Sequence, residues 1–408
     1  MSVARRITVM SKSSVKCLQA LVSAAVFLIL VLLPVCLHAE EIVDYDFGYS
    51  LDVPEGYSVA EYTPDGMSYR FVHDRLPVSL ILKLYADGQF SESSAALSAA
   101  LDKLSAEYEI DSFLWRNVQS SVASLKMTLG GSSGYSGWAV CTEIPEKNAH
   151  LVLVCYAAQA KADDCQQFIV STLNSLSIDR GSRYSPGIFT SYAFPSAEKK
   201  SVKLKIAGID VYTEIDADDE AASEFVVACE YAVLTLYAGN EKWKEAWTRY
   251  YKCIFRDSYG RLKKTAFDIQ AALMPSAKRK NKENPGAAMN EMLLGWVQSF
   301  PYERQNQSAK QSDFANLPSV LCGAGSDCDS RSMLMCVLLG NMGIKSNLFI
   351  SREYSHAVYG ADINQPGAKI TVNGTDFLLG ETTAKDIKPG LIAAEMNDTE
   401  KWMPVEFF

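Results

Sequence analysis

The stretch from Leu317 to Gly343 constrains the fold of this chain more tightly than any other. The phrase Gly323-Ala-Gly-Ser-Asp-Cys-Asp-Ser-Arg-Ser332 is a glycine-rich turn. It runs directly into Met333, Leu334, Val337, Leu338 and Met342, which recur at helical spacing. Gly343 is a natural helix C-cap, and Ile344 starts a strand. A helix this apolar is a buried helix, so neighbouring elements have to cover it. Cys328 falls on its first turn.

That placement has chemical content. The reactive form of cysteine is the thiolate, and helix N-terminal N–H groups stabilise an anion; a paired imidazolium lowers the thiol pKa further. The same N–H groups can face the oxyanion of a tetrahedral intermediate. Asp327 and Asp329 oppose the thiolate by their charge; they cap the helix, or Asp329 pairs with Arg331. A thiolate nucleophile also needs a base, and the base needs an orienting acceptor. His356, in Ser355-His-Ala-Val-Tyr-Gly360, starts a strand and is the only histidine after His150. A loop at Asn364–Ala368, a strand at Lys369–Val372, an Asn373-Gly374 turn and a strand at Asp376–Leu379 lead to Gly380-Glu-Thr-Thr383. Glu381 would then meet His356 at one sheet edge. The candidate catalytic residues are therefore Cys328, His356 and Glu381. The competing structural readings are an inert buried thiol, a satisfied structural histidine and a surface carboxylate. Cys322 and Cys336 read as packing residues, although a Cys322–Cys328 disulfide would silence the nucleophile. No Cys-x-x-Cys or His-x-x-x-His spacing suggests zinc, and no metal or other cofactor is expected.

Gly-x-x-Cys-Asp-x-Arg-Ser, then His-Ala, then Glu-Thr-Thr resembles the transglutaminase-like superfamily of papain-type cysteine enzymes. The lead-in Trp296-Val-Gln-Ser-Phe-Pro-Tyr302 is similar to the aromatic segment before the nucleophile helix in bacterial members. The resemblance covers residues 287–390. It implies a cysteine nucleophile on a helix packed against an antiparallel sheet, with histidine as base and an acid as orienter. The chain departs from the pattern twice: the acid is glutamate where aspartate is usual, and Val358 stands where a tryptophan commonly follows His-Ala.

The rest of the chain reads as architecture. Residues 42–180 form an α+β sandwich: strands at Tyr49–Val53, Ser68–Val72 and Val78–Tyr85, a helix at Ser91–Tyr108, strands from Phe113 to Leu129, a hairpin at 138–156 and a closing helix at Ala162–Leu176. The phrase Tyr-Ser-Leu-Asp-Val-Pro-Glu-Gly-Tyr and the element order resemble PsbP-like domains, a likeness that carries no catalytic motif. His73 and His150 are expected on the surface or in loops. Cys141 and Cys155 flank the hairpin, either facing each other or buried as small apolar residues. A linker at 181–200 precedes a helical middle region, 201–275, which opens with a short strand pair. Asp216-Ala-Asp-Asp-Glu220 lacks the glycine and distal glutamate of a calcium loop, and reads as acidic residues entering a helix N-terminus. A helix at Lys242–Met274 carries a stripe of Trp243, Trp247, Tyr250, Tyr251, Ile254, Phe255 and Phe267 expected in the core. Gly260 breaks or bends it, Pro275 ends it, and Ser276–Pro285 is a solvated connector. A helix at Ala287–Phe300 then opens the transglutaminase-like segment, 287–408.

At the N-terminus Arg5, Arg6, Lys12 and Lys16 precede an apolar run from Leu18 to Leu37, followed by Leu37-His38-Ala39. Residues 1–39 read as a Sec signal peptide or, since roughly 20 apolar residues can span a bilayer, as an uncleaved anchor. Either places the folded part outside the cytoplasm, in the periplasm or cell envelope, touching membrane only through that segment. Export permits disulfides, but the ten cysteines form no dense framework. With 48% apolar residues, 21% charged residues and a net charge of −9, the chain can build real cores and lacks a basic block for nucleic acid. The expectation is an exported cysteine enzyme acting on protein or peptide amides by hydrolysis or acyl transfer, with hydrolysis favoured in open water. The alternative is a non-catalytic envelope scaffold or binding protein using the same fold.

Overall fold

The computed structural model describes residues 8–10, 41–129, 133–196, 198–304 and 311–408. The expected signal peptide or anchor, residues 1–39, therefore lies outside the described residues, apart from Thr8–Met10, which pairs with the strand Glu41–Asp44. Among the described residues no helix is long and apolar enough to cross a membrane. The fold is α+β, with antiparallel sheets and separate helices. Two compact units share the chain: Met1–Ser182 with Val233–Arg249, and Arg183–Ala232 with Tyr250–Phe408.

The first unit is built on a seven-stranded antiparallel sheet. Its strands run, edge to edge, Tyr57–Tyr62, Ser68–His73, Val78–Tyr85, Ala149–Ala158, Ser133–Ile144, Val118–Leu129 and Glu107–Trp115. Strand Ala149–Ala158 is buried at almost every position because both of its faces are covered. On one face the helix Ser93–Lys103 sets Ala96, Leu97 and Leu101 against Val152, Val154, Ala139 and Cys141. Cys155 points the other way, with the Tyr57 hydroxyl 3.7 Å from its sulfur. Cys141 and Cys155 thus do not face each other: the register sets Cys141 opposite Val152 and Cys155 opposite Trp138. Both are free thiols.

The two histidines here are buried rather than exposed. The His73 side chain is only 3% exposed. Its Nδ1 accepts from the N–H groups of Arg75 and Leu76, so Nε2 carries the hydrogen and donates to the Glu55 carbonyl at 2.8 Å. Burial pulls its pKa down, which keeps the ring neutral. His150 lies in the buried middle strand, and burial lowers its pKa as well. His150 opens the apolar run Leu151–Ala158 and is buried with it, whereas His73 ends a mixed strand and is covered by non-local packing.

In the second unit a hairpin of Lys199–Ile206 and Ile209–Asp216 leads into the helix Asp219–Thr235. Asp219 in its first turn accepts from the Asp216 N–H and from Arg261, forming a buried pair. The long middle helix is two: Trp243–Arg261 and Lys263–Lys280. The break falls at Leu262, two residues beyond Gly260. A side chain at Gly260 would strike Pro186, Ser185 and Tyr184, so close packing explains that glycine. Pro275 lies inside the second helix, which continues to Lys280, so the first half of the expected solvated connector is helical. The aromatic stripe holds at Tyr250, Tyr251, Ile254 and Phe255, but Phe267 is exposed.

The remainder of this unit sets a helix against a five-stranded antiparallel sheet. The strand order is Lys369–Val372, Thr375–Gly380, His356–Ala361, Ser346–Ser351 and Met403–Glu406. Asn373 and Gly374 both have positive φ, as a type I′ hairpin turn requires. One face of the sheet buries Phe349, Val358, Ile370, Phe377, Leu379 and Trp402. The other face carries the helix Cys328–Asn341, whose middle from Met333 to Leu339 is wholly buried. Gly380 is required by a close approach: the Tyr359 ring lies where its Cβ would be. That ring is anchored by a hydrogen bond to Asn290, on the helix Pro285–Val297.

Candidate active site

Cys328 is the first residue of its helix, and Asp327 is the N-cap. The Asp327 carboxylate accepts from the Ser330 N–H at 3.2 Å and from the Ser330 hydroxyl at 2.6 Å. Ser330 in turn accepts from the Ala315 N–H, which ties the preceding loop to the cap. The capping alternative for Asp327 is therefore the one realised. Asp329 does not pair with Arg331. It is half-buried and accepts from the Tyr251 hydroxyl at 2.9 Å, and burial together with the neighbouring Asp327 raises its pKa well above the usual range.

The N–H of Ala357, the residue after His356, works to lower the pKa of the Cys328 thiol. The Ala357 carbonyl accepts from the Ser332 hydroxyl at 3.3 Å, one turn along the same helix. Ala357 thus joins the helix of Cys328 to the start of the His356 strand. The expected lowering of the thiol pKa is not what this environment produces. Burial, then the charges of Asp329 and Asp327, push the thiol up to about 12, against the N–H of Ala357 and the charge of Arg304. Helix N-terminal N–H groups do not prevail here because the side chain is only 6% exposed and two acids flank it. Burial is the largest of these causes.

The other two candidates meet directly. His356 Nε2 lies 2.7 Å from Glu381 Oε2. The second carboxylate oxygen, Oε1, accepts from the Thr383 N–H at 2.7 Å and its hydroxyl at 2.6 Å. Burial works to raise the Glu381 carboxyl, but His356 and Thr383 outweigh it and hold the pKa at about 2. The backbone places the pair: Tyr359 pairs with Gly380 and Gly360 with Leu379, so the start of the histidine strand lies beside the end of its neighbour. Nε2 is engaged by Glu381, and among the described residues the His356 ring makes no hydrogen bond to the Cys328 sulfur.

Several residues of the quoted motifs support this arrangement through partners that the sequence did not name. Gln298, just past the helix Pro285–Val297, donates to the carbonyls of Glu381 at 2.7 Å and Ile387 at 2.8 Å. Arg331 is almost wholly buried. It donates to the Ser326 hydroxyl and to the carbonyls of Thr382 and Phe300, and its guanidinium lies 5.3 Å from the Tyr302 ring centre. The Thr382 hydroxyl lies 3.3 Å from that of Ser332 and 3.5 Å from the Cys328 carbonyl. Each threonine of Glu-Thr-Thr therefore has a separate task. A glutamine or arginine with carbonyl partners is invisible in sequence because the partners are backbone. Cys322 is an exposed free thiol and Cys336 a buried one. Among the described residues no cluster of His, Cys, Asp or Glu could hold a metal ion.

No protein-family model and no curated protein matches this chain. Solved structures similar to it include the Ran-binding protein Mog1p of Saccharomyces cerevisiae, at 11% identity and TM-score 0.27, over 35% of this chain and 96% of that one. Cyanobacterial PsbP from Synechocystis sp. PCC 6803 matches at 11% identity and TM-score 0.30, over 36% of this chain and 96% of its own. A provisionally named protease from Parabacteroides distasonis matches at 8% identity and TM-score 0.21, over 82% of this chain and 70% of its own. At such low TM-scores none of the three bears on activity.

Proposed function

We propose that this protein is an exported, cell-envelope cysteine enzyme of transglutaminase-like type that cleaves or transfers acyl groups at protein or peptide amides. The observation that supports it most is the His356–Glu381 contact at 2.7 Å, beside the residue whose N–H works to lower the Cys328 thiol pKa. In this reading His356 Nδ1 takes the thiol proton as sulfur bonds to the amide carbonyl carbon. The first N–H groups of the helix have no intrahelical acceptor and can hold the resulting oxyanion. Collapse breaks the C–N bond, and the imidazolium gives its proton to the departing amine. Water then attacks the thioester, with His356 again as base, and releases the acid and the free thiol. Glu381 stays ionised throughout and orients the ring.

The buried, raised thiol favours a second reading, in which the same fold serves as a non-catalytic envelope scaffold. Labelling with a thiol-reactive probe near neutral pH separates the two. The enzyme reading expects Cys328 to react faster than a model thiol, and the advantage to disappear in His356→Ala. Labelling of Cys328 no faster than the model thiol rejects the enzyme and leaves the scaffold.

A further inference from the structure

The five-stranded sheet is clasped across its width. Lys369–Val372 and Thr375–Gly380 form the hairpin at one edge, and Met403–Glu406 is the strand at the other. Val372 pairs with Thr375, so Asn373 and Gly374 stand outside the ladder. From that turn the Asn373 side-chain amide donates to both carboxylate oxygens of Glu406, at 3.0 Å and 2.9 Å. The clasp needs a donor, and only the amide supplies one, because an ionised glutamate is purely an acceptor.

That donor is chemically labile. Asn373-Gly374 is the one Asn-Gly pair in the chain. An asparagine loses its amide nitrogen when the backbone nitrogen of the next residue attacks its side-chain carbonyl carbon. Glycine hinders that attack least, having no side chain. Both residues are exposed, and nothing lies within 4 Å of where a Cβ on Gly374 would stand.

We propose that Asn373 is a site of spontaneous deamidation, and that its product releases the C-terminal strand from the hairpin. The Gly374 nitrogen bonds to the Asn373 side-chain carbon, and the amide C–N bond breaks. The leaving nitrogen takes up the Gly374 proton and departs as ammonia. Water then opens the cyclic imide at either carbonyl, giving aspartate or isoaspartate. Either product carries a carboxylate and no donor for Glu406, and two carboxylates at such a distance repel. Isoaspartate also adds a carbon to the main chain, which a two-residue turn closed by Val372 and Thr375 does not accommodate. The strand set loose follows Trp402, whose indole is in ring contact with His356 at 6.4 Å. The modification needs water alone and is independent of the enzyme reading.

The full chain is aged in mildly alkaline buffer, and conversion at Asn373 is followed by peptide mass spectrometry. Asn397, exposed and followed by Asp398, is the internal reference. Asn373 is expected to convert severalfold faster than Asn397. Hydrogen exchange then reads the strand. In Asn373→Asp the amides of Met403–Glu406 should exchange about threefold faster than in wild type, while those of Ala149–Ala158 in the other unit stay unchanged. Adding Glu406→Gln to Asn373→Asp returns a donor to the pair and should bring exchange back to the wild-type rate. Conversion of Asn373 no faster than Asn397 overturns the proposal. So does an exchange rate in Asn373→Asp equal to wild type, or an acceleration that Ala149–Ala158 shares. Failure of the added Glu406→Gln to slow exchange overturns it as well.

Discussion

At the scale of single residues, the decisive contrast is between Glu381 and Cys328. Both are largely buried, yet burial wins at the thiol and loses at the carboxylate. The difference is partners: Glu381 has an imidazole and two Thr383 donors, whereas the sulfur has one N–H and acidic neighbours. A sign follows for stability. Glu381 is depressed from 4.5 to about 2, so its contribution is fully present above the higher value and is lost as pH falls through the lower. Glu381→Gln should therefore unfold more easily than wild type at neutral pH. The gap should close as the pH of a urea titration is lowered from about 4.5 towards 2. Under the enzyme reading the same substitution should slow Cys328 labelling tenfold or more, on the order of what loss of an orienting carboxylate does in a Ser-His-Asp triad. A pH-independent gap would show that the carboxylate charge is idle.

At the scale of elements, the site depends on how two strand ends and one helix N-terminus are tied. Arg331 is the tie from the helix, through three hydrogen bonds to the Ser326 hydroxyl, the Thr382 carbonyl and the Phe300 carbonyl. Arg331→Met fills similar space and leaves those acceptors without their donor. It should cost about 3 kcal/mol, read from the denaturant midpoint at constant m-value. A loss well under 1 kcal/mol would mean that water replaces the guanidinium. These elements differed in how legible they were. Glycine at 343 and Asn373-Gly374 marked their boundaries because a positive φ is a local demand. The apolar stripe after Cys328 marked the buried helix for the same local reason. What could not be read was non-local: that Asp329 would turn to Tyr251 rather than Arg331, and that Gln298 would hold the Glu381 backbone. Pro275 misled because proline usually stops a helix, and here the helix continues through it to Lys280.

At the scale of the whole molecule, sequence order and spatial grouping part company. Val233–Arg249 belongs with the N-terminal sheet, while the residues on either side belong with the C-terminal unit. Such an exchange leaves no mark in composition, since both helices concerned are ordinary amphipathic segments. Within the second unit the helix Lys263–Lys280 packs on the hairpin strand Ile209–Asp216 and on the helices Pro285–Val297 and Cys328–Asn341. Its buried Ala266, Ile269, Leu273 and Ala277 are part of the core that carries the site. A fragment of residues 287–408 lacks that helix although it contains all three candidate residues. It should be aggregation-prone, with a poorly cooperative thermal transition by circular dichroism, whereas the full chain unfolds cooperatively. A sharp transition in the fragment would show that the sheet and nucleophile helix are sufficient by themselves.

None of the eight described cysteines forms a disulfide, and their surroundings differ sharply. Cys141, Cys155 and Cys336 are sealed in apolar cores that hold their protons on, while Cys322 lies open at the surface. The intact molecule thus sorts its own thiols into silent and addressable classes. A count of reactive sulfurs in the native chain against the count after denaturation becomes a gauge of how much of each core is standing. Loosening of the first unit is announced by Cys141 and Cys155, and loosening of the second by Cys336, with no reporter group added to the protein.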